Sequence, residues 1–276
     1  MNAANDDRHR EDEGSTGVPE PLYGDYERLL RQIRSLPELP MKAAMVERRV
    51  WARSSGERAW YMDQLLRASL WGKAGGAEAM MAAVWWILGM KREGRYEDLK
   101  AMYMAAHDAG REAVVALFRN IPPHRALAEG QKLPELKLPQ REEVTLGERR
   151  ALATGPERQL LKRLLMDPDP LVIRKLLDNP RLRVEDVNVV VTRRPTVPQI
   201  LWEVATHPRW FPNDRVREAL VRNPYGQTGM ALTLMPSLGI RVLRRIAHSG
   251  DLHDEVQKSA DRLVRLREER TAPWRV

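Results

Sequence analysis

The 276-residue sequence predicts an all-α protein in which a helical N-terminal subdomain is followed by an array of short, stacked helices. Three observations carry this. Between Asp167 and Pro224, five X-Pro steps (Asp167-Pro168, Asn179-Pro180, Arg194-Pro195, His207-Pro208 and Asn223-Pro224) cut the chain every 12 to 16 residues. Proline lacks the amide proton a helix interior needs and restricts the residue before it, so each step predicts a helix boundary. About two or three turns of helix fit between boundaries. Upstream of this stretch, apolar residues fall at helical spacing and are separated by glycine or proline. Finally, residues 172–180 overlay residues 216–224 at an offset of 44, with Val172, Leu176, Asn179 and Pro180 matching Val216, Leu220, Asn223 and Pro224. Helices this short cannot bury an apolar face alone and must pile on their neighbours.

Taken in order, residues 1–20 are polar, acidic at Glu11-Asp12-Glu13, and are expected to form a disordered tail. The N-terminal subdomain spans 21–119. Tyr26, Leu29, Leu30, Ile33 and Leu36 make its first stripe, closed by Pro37, and Pro40 suits the first turn of the next helix. Breaks at Gly56, at Gly72 with Gly75-Gly76, at Gly94 and at Gly110 then divide the segment into five or six helices, and Gly72 with Gly75-Gly76 is read as a flexible break. Five of the eight tryptophans and eight of the twelve methionines lie here, at spacings that predict core rather than a cofactor pocket. The most apolar stretch, 79–90, falls short of the roughly 20 residues a bilayer core requires, so no membrane span is expected.

Residues 120–146 are rich in proline and are expected to form an extended connector pinned by Leu133, Leu136 and Leu138; 142–146 would also allow a short edge strand. The array is expected over 147–270. Leu160, Leu161, Leu164 and Leu165 form one stripe ending at Asp167-Pro168. Asp169-Pro170 reads as an N-cap followed by a first-position proline, and Thr196 with Pro198, and Asp251 before His253-Asp254-Glu255, read as similar starts. A second overlay joins 203–208 to 245–250 at an offset of 42, giving a period in the low forties with more than one helix per unit. The last helix, 251 to about 269, reads as a terminal cap, and 271–276 as a frayed tail.

On Asp167-Pro168, Asn179-Pro180, His207-Pro208, Asn223-Pro224 and the apolar spacing between them, residues from about 157 to 268 resemble the superfamily of HEAT-like repeats, including the variant whose short helices close on Asn-Pro. The resemblance covers about two-fifths of the chain and implies an α-solenoid. Members of this superfamily mostly serve as protein-binding scaffolds, and some grip nucleic acid. Because the matching motifs are structural, the resemblance implies no catalytic residue.

Charge points to a partner. Basic and acidic residues balance over 1–157, so the whole formal charge of +8 lies in 158–276. Most of the excess is arginine, which suits planar, bidentate contacts with carboxylates and phosphates. Arg193, Arg194, Arg222, Arg241, Arg244 and Arg245 are therefore the candidate partner-binding residues, weighed against a merely solvated face. Nothing in the sequence matches a phosphate-binding Gly-x-x-x-x-Gly-Lys loop, a His-Glu-x-x-His pair or a Gly-x-Ser-x-Gly elbow, and Gly72-Lys73-Ala74-Gly75-Gly76 follows a helical run rather than a strand. The six histidines show no ligand spacing. No cofactor and no metal are expected. Cysteine is absent, which suits a reducing cytosol, and the first residues lack the basic-then-apolar order of a secretory signal. The expected function is a non-catalytic cytoplasmic scaffold or adaptor that binds an acidic protein partner. The alternative is nucleic-acid binding along an arginine ridge, with Trp202 and Trp210 as stacking platforms. A helical-repeat enzyme of the DNA-repair type comes third.

Overall fold

Residues 20–128, 133 and 144–269 are described by a computed structural model, and among them every regular element is helical. The tail expected over 1–20 falls outside the described residues up to position 19, and Glu20 already begins a helix. The expected tail at 271–276 and the pinning residues Leu136 and Leu138 also lie outside them; Leu133 is half-buried.

Six helices make the N-terminal part: α1 (Glu20–Ile33), α2 (Leu39–Trp51), α3 (Ser55–Leu70), α4 (Gly76–Arg92), α5 (Tyr96–Asp108) and α6 (Glu112–Phe118). Their ends follow local chemistry. Pro40 sits in the first turn of α2, and Ser54 with Glu57 forms a capping box at α3. Gly94 and Gly110, both at positive φ, stop α4 and α5. The apolar stretch that falls short of a membrane span is the hub. Helix α4 buries residues around most of its circumference, Met80, Val84, Trp86, Ile87 and Leu88 among them, and packs against α1, α2, α3, α5 and α6. No helix among the described residues is long and apolar enough to cross a membrane. Of the tryptophans here, Trp60 and Trp86 are buried and Trp51, Trp71 and Trp85 pack against the core, whereas Met41 and Met104 are exposed.

The glycine-rich break at 72–76 is not a flexible joint. Gly75 holds φ at 80° to start α4, and a Cβ there would collide with the Leu30 carbonyl oxygen. A Cβ on Gly76 would lie 2.5 Å from the Ala68 carbonyl carbon. These glycines let α1, α3 and α4 cross at backbone contact, a requirement that composition alone does not reveal.

The remaining helices are α7 (Leu146–Ala153), α8 (Arg158–Leu164), α9 (Pro170–Leu177), α10 (Val184–Thr192), α11 (Pro198–Ala205), α12 (Asp214–Val221), α13 (Thr228–Leu234), α14 (Ile240–Ala247) and α15 (Asp254–Glu269). Of the edge strand allowed over 142–146, positions 142 and 143 lie outside the described residues; in the rest, Thr145 caps α7 in a capping box with Glu148. Asp169 caps α9 by accepting the Leu171 N–H at 2.7 Å, with Pro170 in the first turn as expected. Asp169→Ala should therefore cost about 1 kcal/mol in chemical denaturation, and an unchanged unfolding midpoint would remove the cap from the argument. Thr196 is not a cap: it is fully buried, and α11 starts from Val197 without a side-chain cap. The final helix begins at Asp254, three residues later than expected.

The residue before each proline explains the punctuation. Asp167, Asn179, His207 and Asn223 each use a side-chain acceptor to take the backbone N–H two residues on, at 2.9, 2.9, 3.2 and 3.0 Å. The intervening proline has no N–H to offer, so the side chain closes the turn that ends the helix. Arg194 has no acceptor atom and cannot do this.

Those turns also set the stacking. Asn179, after α9, donates its amide to Ala153 O (2.8 Å) and Gly155 O (2.9 Å) at the end of α7. Asn223, after α12, donates to Val191 O (2.8 Å) and Arg193 O (3.1 Å) at the end of α10. Trp210, after α11, donates its indole N–H to Leu177 O at the end of α9 (2.9 Å), and Arg193, after α10, reaches Asp167 O beyond α8 (3.1 Å). The ends of α9, α10, α11 and α12 are thus each tied to the helix two before it. Helix packing agrees, because α9 lies on α7 and α11, and α12 on α10. The stacking period is two helices. The 44-residue overlay instead matches α9 to α12, which carry the same closing signal but do not stack on each other.

The array returns to the N-terminal part. Helix α13 packs on α6, α4 and α15, and α15 on α3 and α6. Residues 121–123, before the chain bends at 124–125, run beside the start of α13, where Pro123 forms an antiparallel bridge with Gln227. There the Gly229 N–H donates to Ile121 O (3.0 Å), and a Cβ on Gly229 would lie 2.5 Å from the Arg119 carbonyl oxygen. Lys91, in the last turn of α4, fills the seam. Its Nζ donates to Arg119 O (2.8 Å), Gly229 O (2.9 Å) and Thr233 Oγ1 (2.8 Å). The buried apolar residues form one continuous cluster through both parts.

Candidate binding face

Six arginines were expected to meet a partner, and the structure separates them. Arg194 leaves the turn after α10 and donates Nη2 to the carbonyl of Arg222 at 2.6 Å, where α12 ends. That carbonyl lies at the negative pole of the helix dipole, which favours a cation there. Arg222 in turn lies 3.5 Å from Glu218 Oε1, one helical turn back, and Arg245 of α14 reaches the same oxygen at 2.7 Å. Three guanidinium groups from three separate segments therefore gather round the end of α12. Arg241 lies four residues before Arg245, on the same side of α14, and has no ion pair among the described residues. All four arginines are exposed.

The other two are turned elsewhere. Arg193 folds inward against Asp167 O and Thr196 Oγ1, and burial lowers its pKa. Its guanidinium belongs to the stacking contacts, so its expected role at a surface does not fit its position. Arg244, also exposed, pairs with Glu268 of α15 at 2.9 Å.

Other arginines are engaged inside the array in the same way. Arg158 of α8 forks onto Asp186 of α10 at 2.6 and 2.7 Å, and Arg174 of α9 forks onto Glu203 of α11 at 2.6 and 2.8 Å. Arg92, at the end of α4, joins the same Glu203 at 2.7 Å. These pairs repeat the two-helix period and are bidentate, the geometry arginine suits best. Each such pair withdraws a cation and an anion together, so the net charge of +8 is unchanged and only the number of unpaired guanidinium groups falls. What remains is a face where Arg222 and Arg245 share the Glu218 carboxylate while Arg194 and Arg241 have no ion pair among the described residues. Concentrated like charge with a single counter-ion raises the local potential and draws in anions.

Glu218 was not singled out from sequence, although its place four residues before Arg222 is a readable helical ion-pair signal. The tryptophans weighed as stacking platforms are otherwise engaged. Trp210 is 4% exposed, with Arg209 over its ring at 4.2 Å, and Trp202 is half-buried against the core. Among the described residues, no group of three or more His, Asp or Glu side chains is placed to hold a metal ion. His248 bonds its Nδ1 to Arg244 O at 2.8 Å, and His253 accepts the Glu255 N–H while its ring meets that of His124 edge-on. Comparison with protein-family models, curated proteins and solved structures gives no match for this chain.

Proposed function

We propose that this chain is a non-catalytic interaction module whose HEAT-like array binds an acidic protein segment on the face formed by Arg194, Arg222, Arg241 and Arg245. One observation carries the reading: arginines from three separate segments converge on the end of one helix, and Glu218 is the one carboxylate they pair with among the described residues. A carboxylate-rich segment would complete that arrangement, each glutamate or aspartate accepting from a planar fork. A chain without cysteine suits the cytosol as the place where this happens.

The test is a charge reversal. Arg222→Glu with Arg245→Glu removes two exposed cations whose ion pairs contribute little to stability, so the thermal melt should stay within a few degrees of the parent. Binding of a fluorescent 20-residue peptide rich in glutamate and aspartate should weaken by about tenfold or more at low salt and fade in the parent as salt rises. Equal affinity in parent and variant would reject the face. Retention of a DNA duplex in place of the peptide, lost in the same variant, would transfer the face to nucleic acid, although Trp210 offers that reading no free ring.

A further inference from the structure

We propose that a cleft between α5, the end of α6 and the start of α15 binds a small planar aromatic anion, a site separate from the arginine face. The cleft encloses about 660 Å³, within the range typical of small-molecule sites. Its walls are Leu99, Tyr103, Phe118 and Ile121, with Tyr96 at the rim. Phe118 is 4% exposed and forms a fixed part of the core, whereas Tyr96 is 64% exposed, more than any other large apolar side chain among the described residues. The Tyr103 ring is held nearly parallel to that of His107, at 14° with centroids 6.0 Å apart. Two tyrosines thus border a space that the described residues leave open, and a planar ring is the shape that stacks on aromatic side chains.

The polar groups decide the charge. Arg119 is already neutralised by Glu255, with Glu112 3.9 Å away. Among the described residues Lys100 has no ion pair, and neither the Asn120 amide nor the hydroxyls of Tyr96 and Tyr103 make a hydrogen bond. Lys100 is therefore the lining's one cation without a carboxylate partner among the described residues, beside several free donors above an apolar floor. A ligand that stacks on the tyrosines and places a carboxylate, sulfonate or phosphate at Lys100 matches both features.

The probe is 1-anilinonaphthalene-8-sulfonate, with the uncharged N-phenyl-1-naphthylamine beside it. Fluorescence titration of the full chain should give saturable one-site binding of the sulfonate, with the uncharged analogue bound more weakly. Tyr96→Ala and Lys100→Glu alter exposed side chains, should leave the thermal melt unchanged, and should each weaken sulfonate binding by about tenfold. Arg222→Glu with Arg245→Glu should leave it as in the parent. Absence of saturable binding, affinity unaltered by both cleft variants, or loss in the arginine-face variant would each overturn the assignment. Equal affinity for the uncharged analogue would overturn the anionic class.

Discussion

Asn223→Ala is expected to lower the free energy of unfolding by about 3–5 kcal/mol, because it leaves three backbone groups without their partner. The side chain is 4% exposed. Its amide nitrogen holds Val191 O and Arg193 O, and its oxygen holds the Tyr225 N–H. A buried polar group without a partner costs about 1–3 kcal/mol, and water has little access to this one. Asn223→Asp separates the two jobs of the residue. Aspartate keeps the acceptor that closes the turn at Pro224, as Asp167 does at Pro168, but it cannot donate and would face two carbonyl oxygens with a negative charge. The aspartate variant should therefore be at least as unstable as the alanine variant near neutral pH. Urea unfolding decides it: a midpoint for Asn223→Asp close to that of the parent would mean that the tie to α10 contributes nothing and the local turn is all that matters. Asn179, tied to α7, should respond in the same way.

The same residue marks where sequence reading succeeds and where it stops. That Asn223-Pro224 ends a helix follows from local chemistry, since both the proline and the acceptor before it are visible in two letters. Which helix it is tied to is not visible, because the acceptors are main-chain carbonyls that any residue supplies. The 44-residue overlay therefore recognised equal endings and mistook them for stacked neighbours. Arginine poses the same problem. Arg193 and Arg194 are adjacent, yet one guanidinium folds against Asp167 O and the other reaches the end of α12, 28 residues on. The spacing that exposes one and turns the other inward is a property of the stack. The glycines at 75 and 76 could be read as a break, but the Leu30 and Ala68 backbone that makes them necessary belongs to other helices. The cleft is assembled from α5, the end of α6 and α15, so no local motif announces it.

Lys91 yields the second large effect, in the pH dependence of stability. The residue as a whole is only partly covered, but its amino group is enclosed, and burial pushes its pKa down from 10.5 to about 7, with no charged neighbour as a cause. Three neutral oxygens hold the ammonium, which offsets part of the cost of removing it from water. In the unfolded chain Lys91 stays protonated up to its ordinary pKa. Between about pH 7 and pH 10 the unfolded state therefore binds a proton that the folded state does not, so stability must rise with pH. Below pH 7 both states carry the charge and the burial cost is present in full. Each pKa unit corresponds to about 1.4 kcal/mol, which limits the rise to about 5 kcal/mol. Above pH 10 the sign reverses, because burial raises the pKa of Tyr26 and Tyr61 and the unfolded chain then loses protons first. Lys91→Met keeps the apolar stem and removes the titration, so its stability should stay level from pH 7.5 to 9.5 while that of the parent climbs. The difference between the two proteins isolates Lys91 from every other group that titrates in this interval. Parallel profiles would show that the amino group stays charged in the folded state, and that α4, α6 and α13 meet across a permanent cation whose three oxygens make up for the water it has lost.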